Sequence, residues 1–234
     1  GYTLTESGQE MLDVVGRADE MFSDLAGRHH GRSETLSGNL IVTALPGIAS
    51  LLTPALREFH LAHPQINIEF AASSNLAKLE YGEAHIAFRA GPKPNMPDYV
   101  VKLFKRICFG LYAGRRYVEL NGHPAAGALA NHNFVGSIEL SSRLPFAQWM
   151  KTHVSDRNLS LKTTDQQVTI SAVRDGIGLG FLSEDDVSGD PDFVEILPSA
   201  QDWSVAIWQV THIDLHRTEK VQQFLKHIRY LERR

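Results

Sequence analysis

Thr43-Ala44-Leu45-Pro46-Gly47 follows the apolar run Leu40-Ile41-Val42 and precedes a helical stripe at Leu51, Leu52, Leu56 and Phe59. A threonine that ends a strand offers a hydroxyl. A proline in the first helical turn sets up a helix N-terminus, whose free N–H groups and positive dipole end favour a carboxylate. Ser73 and Ser74 follow a second strand-like run, Ile66 to Phe70, and can donate hydroxyls. Phe88 and Arg89 end a third, Ala84 to Phe88. Further on, Ser137 closes Asn133-Phe134-Val135-Gly136, and Gln166 and Gln167 open a helical stretch behind Asp165. The chemistry of this set is binding, not turnover: hydroxyls, amides, one guanidinium and backbone donors. Each member also has a plain structural reading. Thr43 suits a helix cap, the serines are ordinary turn residues, Arg89 suits a surface ion pair, and glutamines are usual at helix starts.

Other chemistries find less support. Among eleven histidines, His60 and His63 stand three apart and His212 and His216 four apart, but neither pair has a nearby cysteine or a clear third ligand. No metal and no cofactor is expected. Gly176-Ile177-Gly178-Leu179-Gly180 follows a helix and enters a strand, the reverse of a phosphate loop. No serine-centred elbow or carboxylate pair is legible, so the chain reads as a non-enzyme. Cys108 is the only cysteine, in an apolar setting that suits a small buried side chain, and Phe181 reads as core.

Positioning these residues falls to an α/β framework. Two strands joined by a crossover helix form a βαβ unit, which collects loops and helix N-termini along one sheet edge, where small molecules bind. His63-Pro64 ends the crossover helix. Two separate strands, Asp98 to Lys105 and Cys108 to Gly114, lead out of this first lobe. A second, similar lobe follows, and the β-rich run Ser204 to Val210 leads back. A last helix from Arg217 presents Val221, Phe224, Leu225, Ile228 and Leu231 on one face, suited to packing on the first lobe. Ahead of everything, Met11, Val15, Ala18, Phe22 and Leu25 make a narrow heptad seam in an acidic helix, followed by a polar linker. The seam suits pairing with another chain; the other reading is packing on its own domain.

The 234 residues suffice for one large or two small domains. With 43% hydrophobic and 21% charged residues, the composition is that of an ordinary globular protein. No run approaches a membrane span, and the first residues do not form a signal peptide. A net charge of −4 without a basic stripe makes this chain alone a poor DNA binder.

Taken in order, several segments resemble LysR-type transcriptional regulators. Tyr2 to Gly8 is similar to the end of their winged helix-turn-helix domain, and the heptad helix to their linker helix. Gly38 to Pro46, Pro54 to Phe59 with His63-Pro64, Leu79 to Arg89, and Gly176 to Gly180 resemble successive segments of their effector domain. His85 stands where the family usually has Asp, and Ser183 where it usually has Pro. The resemblance implies an α/β fold of two Rossmann-like lobes of periplasmic-binding-protein type, joined by two crossover strands and preceded by a long N-terminal linker helix. It implies residues 1–31 as the end of the winged helix and the dimerising linker helix, 38–105 with 209–234 as lobe I, and 106–208 as lobe II. It makes Thr43, Ala44, Pro46, Ser73, Ser74, Phe88, Arg89, Ser137, Gln166 and Gln167 the effector contacts. The function it implies is a cytoplasmic ligand-sensing domain. A small effector, leaning toward an anion, would bind between the lobes of a homodimer or homotetramer. Promoter DNA would be bound through an N-terminal domain of the parent that this chain lacks, with no membrane partner. The alternative is a periplasmic-type solute-binding protein, which an upstream signal peptide would favour.

Overall fold

The computed structural model describes residues 36–73, 76–137 and 144–231, together with residues 5, 7, 8, 11 and 15. Of the residues singled out above, Ser74, Ala18, Phe22 and Leu25 lie outside this set. Met11 and Val15 are helical and exposed, at 74% and 64%. The Thr5 hydroxyl accepts from the Gly8 N–H at 3.2 Å, the bond expected of a helix cap.

Among the described residues, eight strands and seven α-helices follow. Strand β1 (Gly38–Ala44) lies parallel to β2 (Ile66–Ala72) and to β3 (Ile86–Ala90). Helix α1 (Ala49–Ala62) connects β1 to β2, and a short 3-10 turn, Pro46–Ile48, leads into it. Pro54 lies inside α1 and cannot donate to the Ser50 carbonyl; the Thr53 hydroxyl does so instead, at 3.0 Å. That substitution keeps the helix running to Ala62.

β4 (Tyr99–Gly114) and β8 (Phe193–His212) are single long strands. The two strands read between Asp98 and Gly114 are therefore one, because Arg106 and Ile107 continue the extended backbone between them. Asp98 takes φ 61° just before β4, a left-handed turn that aspartate tolerates. The remaining elements are α2 (Arg115–Asn121), β5 (Phe134–Ser137), α3 (Pro145–His153), β6 (Leu159–Thr163), α4 (Gln166–Arg174), β7 (Gly180–Ser183), α5 (Glu184–Val187), α6 (Ile213–His216) and α7 (Glu219–Leu231). Hydrogen bonding orders the strands β2-β1-β3-β8-β4-β7, with β5 and β6 paired separately.

The chain divides into two compact units. Within its described residues, the first consists of residues up to Phe88, Asn95–Lys102 and Gln209 onward; the second of Arg89–Pro94 and Leu103–Trp208. In the first, Leu40, Val42, Leu52 and Ile86 are fully buried, and α7 presents Val221, Phe224, Leu225 and Ile228 inward. The Phe59 ring of α1 meets Phe224 edge-on at 5.3 Å. The second unit has its own core around Leu111, Phe134, Leu179 and Phe181. Aromatic rings extend it: Phe146 stacks on Phe181 at 5.5 Å, and Trp203 meets Phe181 edge-on at 4.9 Å. Cys108 is half-buried, more accessible than its apolar neighbours suggest.

Candidate functional site

In the first unit three parallel strands share a register where β1 and β2 end, and β3 runs two residues further to Ala90. Ala44 of β1 is the register partner of Ala72 in β2 and of Phe88 in β3. The Ser73 N–H donates to the Ala44 carbonyl at 3.0 Å, carrying the alignment one residue further. Thr43, Ala44, Pro46, Ser73 and Phe88 are thus gathered at one edge, and Arg89 follows Phe88 in β3. Their side chains are not equally available. Thr43 is 7% exposed and its hydroxyl donates to the Ala71 carbonyl at 3.1 Å, so oxygen lone pairs are what it retains. The Phe88 ring is 2% exposed, a core side chain rather than an open contact surface.

The helix start after β1 differs from the expectation of several free N–H groups. Leu45 makes no side-chain cap, and Pro46 has no N–H. The 3-10 turn then uses two of the next amides: Ile48 donates to the Leu45 carbonyl at 2.9 Å, and Ala49 to that of Pro46. A tighter turn satisfies amides that an α-helix would leave open. The dipole end remains, but with fewer donors than the sequence suggests.

The second unit repeats the arrangement on a smaller scale. β5 runs parallel to β6 with Ser137 opposite Thr163, and a single parallel bridge ties Phe134 to Leu179. After β6, the Asp165 carboxylate caps α4, accepting from Gln167 N–H at 2.7 Å and Val168 N–H at 3.4 Å. This helix N-terminus already holds an anion of its own. The Gln166 amide donates to Asp186 Oδ2 at 3.3 Å, while Gln167 is exposed.

His85 explains its departure from the resemblance. Its ring is 5% exposed, and Nδ1 accepts from the Ile41 N–H at 3.0 Å while its own backbone N–H donates to the Ile41 carbonyl at 2.9 Å. Burial, and secondarily the Lys220 charge, push its pKa down to about 3. The neutral ring accepts one backbone hydrogen bond from β1. Ser183, where the family usually has Pro, forms a capping box with Asp186 and starts α5. Several other histidines are likewise engaged in protein contacts. His216 Nδ1 lies 2.9 Å from the Thr211 hydroxyl, and His63 packs on Phe59 at 4.9 Å and near His227 at 6.2 Å. Burial lowers the pKa of both His216 and His227. Among the described residues no group of three or more histidine, cysteine or acidic side chains is arranged to hold a metal ion.

A cavity of about 390 Å³ lies wholly within the second unit and was not anticipated from the sequence. Gly91, Pro92, Arg106, Leu144, Pro145 and Ser204 are among its lining residues. They come from four separate segments, and only the Gly91-Pro92 pair carries a local signal, that of a turn.

Comparison with known proteins agrees with the architecture. The profile of the LysR substrate binding domain matches residues 33–232. No curated protein sequence matches. Among solved structures, the full-length Vibrio cholerae virulence activator AphB, a member of the LTTR protein family, is 19% identical with a TM-score of 0.66, covering 97% of this chain and 80% of that one. The regulatory domain of CrgA, a LysR-type transcriptional regulator from Neisseria meningitidis, is 21% identical with a TM-score of 0.69, covering 84% of this chain and all of that one. The AmpR effector binding domain from Citrobacter freundii is 14% identical with a TM-score of 0.66, covering 85% of this chain and all of that one. At these identities the structures establish the fold, a mixed α/β, periplasmic-binding-protein-like arrangement, and the profile match establishes the family. The chain belongs to the LysR substrate-binding domain family, the regulatory, effector-binding part of LysR-type transcription regulators.

Proposed function

We propose that this regulatory domain senses a small effector at its strand-end edges, those that carry Thr43, Ala44, Pro46, Ser73, Ser74, Phe88 and Arg89 and those that carry Ser137, Gln166 and Gln167. The observation that supports the reading is the shared register of β1, β2 and β3 at Ala44, Ala72 and Phe88, where β1 and β2 end and β3 has two residues left to run. Strand ends of parallel α/β sheets are where ligands of such folds bind. Effector binding shifts a homodimer or homotetramer between two subunit arrangements and so changes promoter binding by a DNA-binding domain of the parent. This demands different effector affinities in the two arrangements. The cytoplasm is the compartment such a regulator works in. No helix among the described residues is long and apolar enough to cross a membrane.

The test is a thermal-shift screen against small carboxylates, amino acids and aromatic acids. A ligand that binds only the folded chain stabilises it by about 2.7 kcal/mol when present at roughly a hundred times its Kd. Thr43→Val and Gln166→Ala should reduce the shift produced by a hit. A hit that both variants leave unchanged places the effector elsewhere, and a broad panel without any hit counts against sensing itself.

A further inference from the structure

The cavity in the second unit has a chemistry of its own. The Gly91 backbone, which forms one wall, is already bonded on both sides: its N–H donates to the Ala206 carbonyl at 2.9 Å, and its carbonyl accepts from the Trp208 indole N–H at 2.8 Å. The N–H of that wall is committed, and what its carbonyl retains is a lone pair, which a carboxylate cannot use. Gly91 takes φ +107°, and a Cβ built there meets nothing within 4 Å. The space in front of it is open. Pro92, Leu144, Pro145 and Val205 supply apolar surface. Two side chains with polar ends remain, Arg106 from β4 and Ser204 from β8.

Arg106 decides the class of ligand. Among the described residues no carboxylate pairs with it, unlike Arg174, which holds Asp190 at 2.8 Å, and Lys105, its neighbour in β4, which holds Asp185 at 2.7 Å. No aspartate or glutamate lines the cavity among the described residues, so an ammonium group would meet no counter-charge there. A single guanidinium and a hydroxyl in an otherwise apolar lining match a molecule with one anionic end and an apolar body. The cavity's 390 Å³ falls within the range of small-molecule sites.

We infer that the cavity bounded by Gly91, Arg106, Pro145 and Ser204 binds a monocarboxylate with an apolar body, its carboxylate on Arg106 and its body against Pro92, Leu144, Pro145 and Val205. The inference rests on the chain being a ligand sensor and goes beyond the strand-end site proposed above, since none of that site's described residues lines this cavity. Among the described lining residues no acidic partner awaits an amino acid or amine, and polar groups for a sugar are few.

Calorimetric titration of the 234-residue chain tests this, with 3-phenylpropanoate and octanoate as probes, each beside its primary amide. The acids should bind about tenfold or more tightly than the amides, since the charge-assisted bond is lost on amidation. Arg106→Leu should erase that difference, and Arg106→Lys should restore part of it. Ser204→Phe should fill the cavity and abolish binding of acid and amide alike. Arg106 is exposed, so its variants keep the fold, which melting curves check. No binding of either acid at millimolar concentration overturns the inference, as does acid binding that Arg106→Leu leaves unchanged. Acid binding weakened by Thr43→Val but not by Arg106→Leu keeps effector sensing and rejects this site. A failure of sensing itself is distinguished by the broad thermal-shift panel yielding no ligand.

Discussion

A methyl group added at Gly114 would sit 2.2 Å from the Val173 carbonyl oxygen and 2.6 Å from that of Arg174. Both are backbone atoms at the end of α4, so neither can rotate away. Gly114→Ala should therefore destabilise the chain by on the order of 3 kcal/mol, read as a lower urea midpoint. At Gly127 nothing lies within 4 Å, and Gly127→Ala should change stability by less than about 0.5 kcal/mol. Equal midpoints for the two variants would refute the close approach at Gly114. His85 makes a pH prediction of definite sign. From its ordinary value of 6.5 down to about 3, the unfolded chain binds a proton at this ring that the folded chain does not. Stability is then fully present above pH 6.5 and falls as the pH falls toward 3, by at most about 1.4 kcal/mol per pH unit. His216 and His227, also lowered, act in the same sense. In His85→Gln the decline should be shallower by the share of one group, measured as urea midpoints across that range. An unchanged slope would mean that His85 titrates normally.

Among the elements, two of the helices that follow strands, α4 and α1, begin in opposite ways. α4 is capped by its own Asp165 carboxylate, whereas the turn leading into α1 has no side-chain cap and closes on backbone carbonyls. Asp165→Ala should cost about 1 kcal/mol, visible as a lower urea midpoint at unchanged m-value. A neutral result would mean that the two N–H groups at Gln167 and Val168 find water at no cost. The α4 boundaries were legible from Asp165-Gln166-Gln167 because a cap is a local bond between neighbours. The 3-10 turn at Pro46–Ile48 was not legible: proline at the first position suits either helix type, and the choice depends on how β1 delivers the chain into α1. The same holds for β4, read as two strands. A sequence window sees Arg106 as a polar break, while pairing with neighbouring strands holds the backbone extended through it.

For the whole molecule, the open question is what covers the N-terminal seam. Met11 and Val15 are exposed at 74% and 64%, well above what a buried stripe would show. If the seam pairs with a second copy, sedimentation at tens of micromolar should give a dimer or larger species, and Met11→Glu with Val15→Glu should shift it toward monomer. A monomer at that concentration in the unaltered chain argues against pairing through this helix. In such an assembly, effector sensing and self-association are linked, and a ligand that favours one arrangement must bind it more tightly.

The sequence by itself determined the βαβ unit, the start of α4 behind Asp165, the places of Thr43, Ser73 and Arg89 at or beside strand ends, and the family resemblance. These depend on periodicity, caps and turn residues, which act between neighbours a few positions apart. Tertiary structure alone decided which of those groups remain available. It committed the Thr43 proton to Ala71, enclosed Phe88 and spent the Ile48 and Ala49 amides in a turn. It also turned His85 into a neutral acceptor for Ile41 and brought Arg106, Pro145 and Ser204 around one cavity. Solvation and hydrogen-bond partners belong to contacts between residues distant in the chain, and those contacts exist only once the strands have been assembled into sheets.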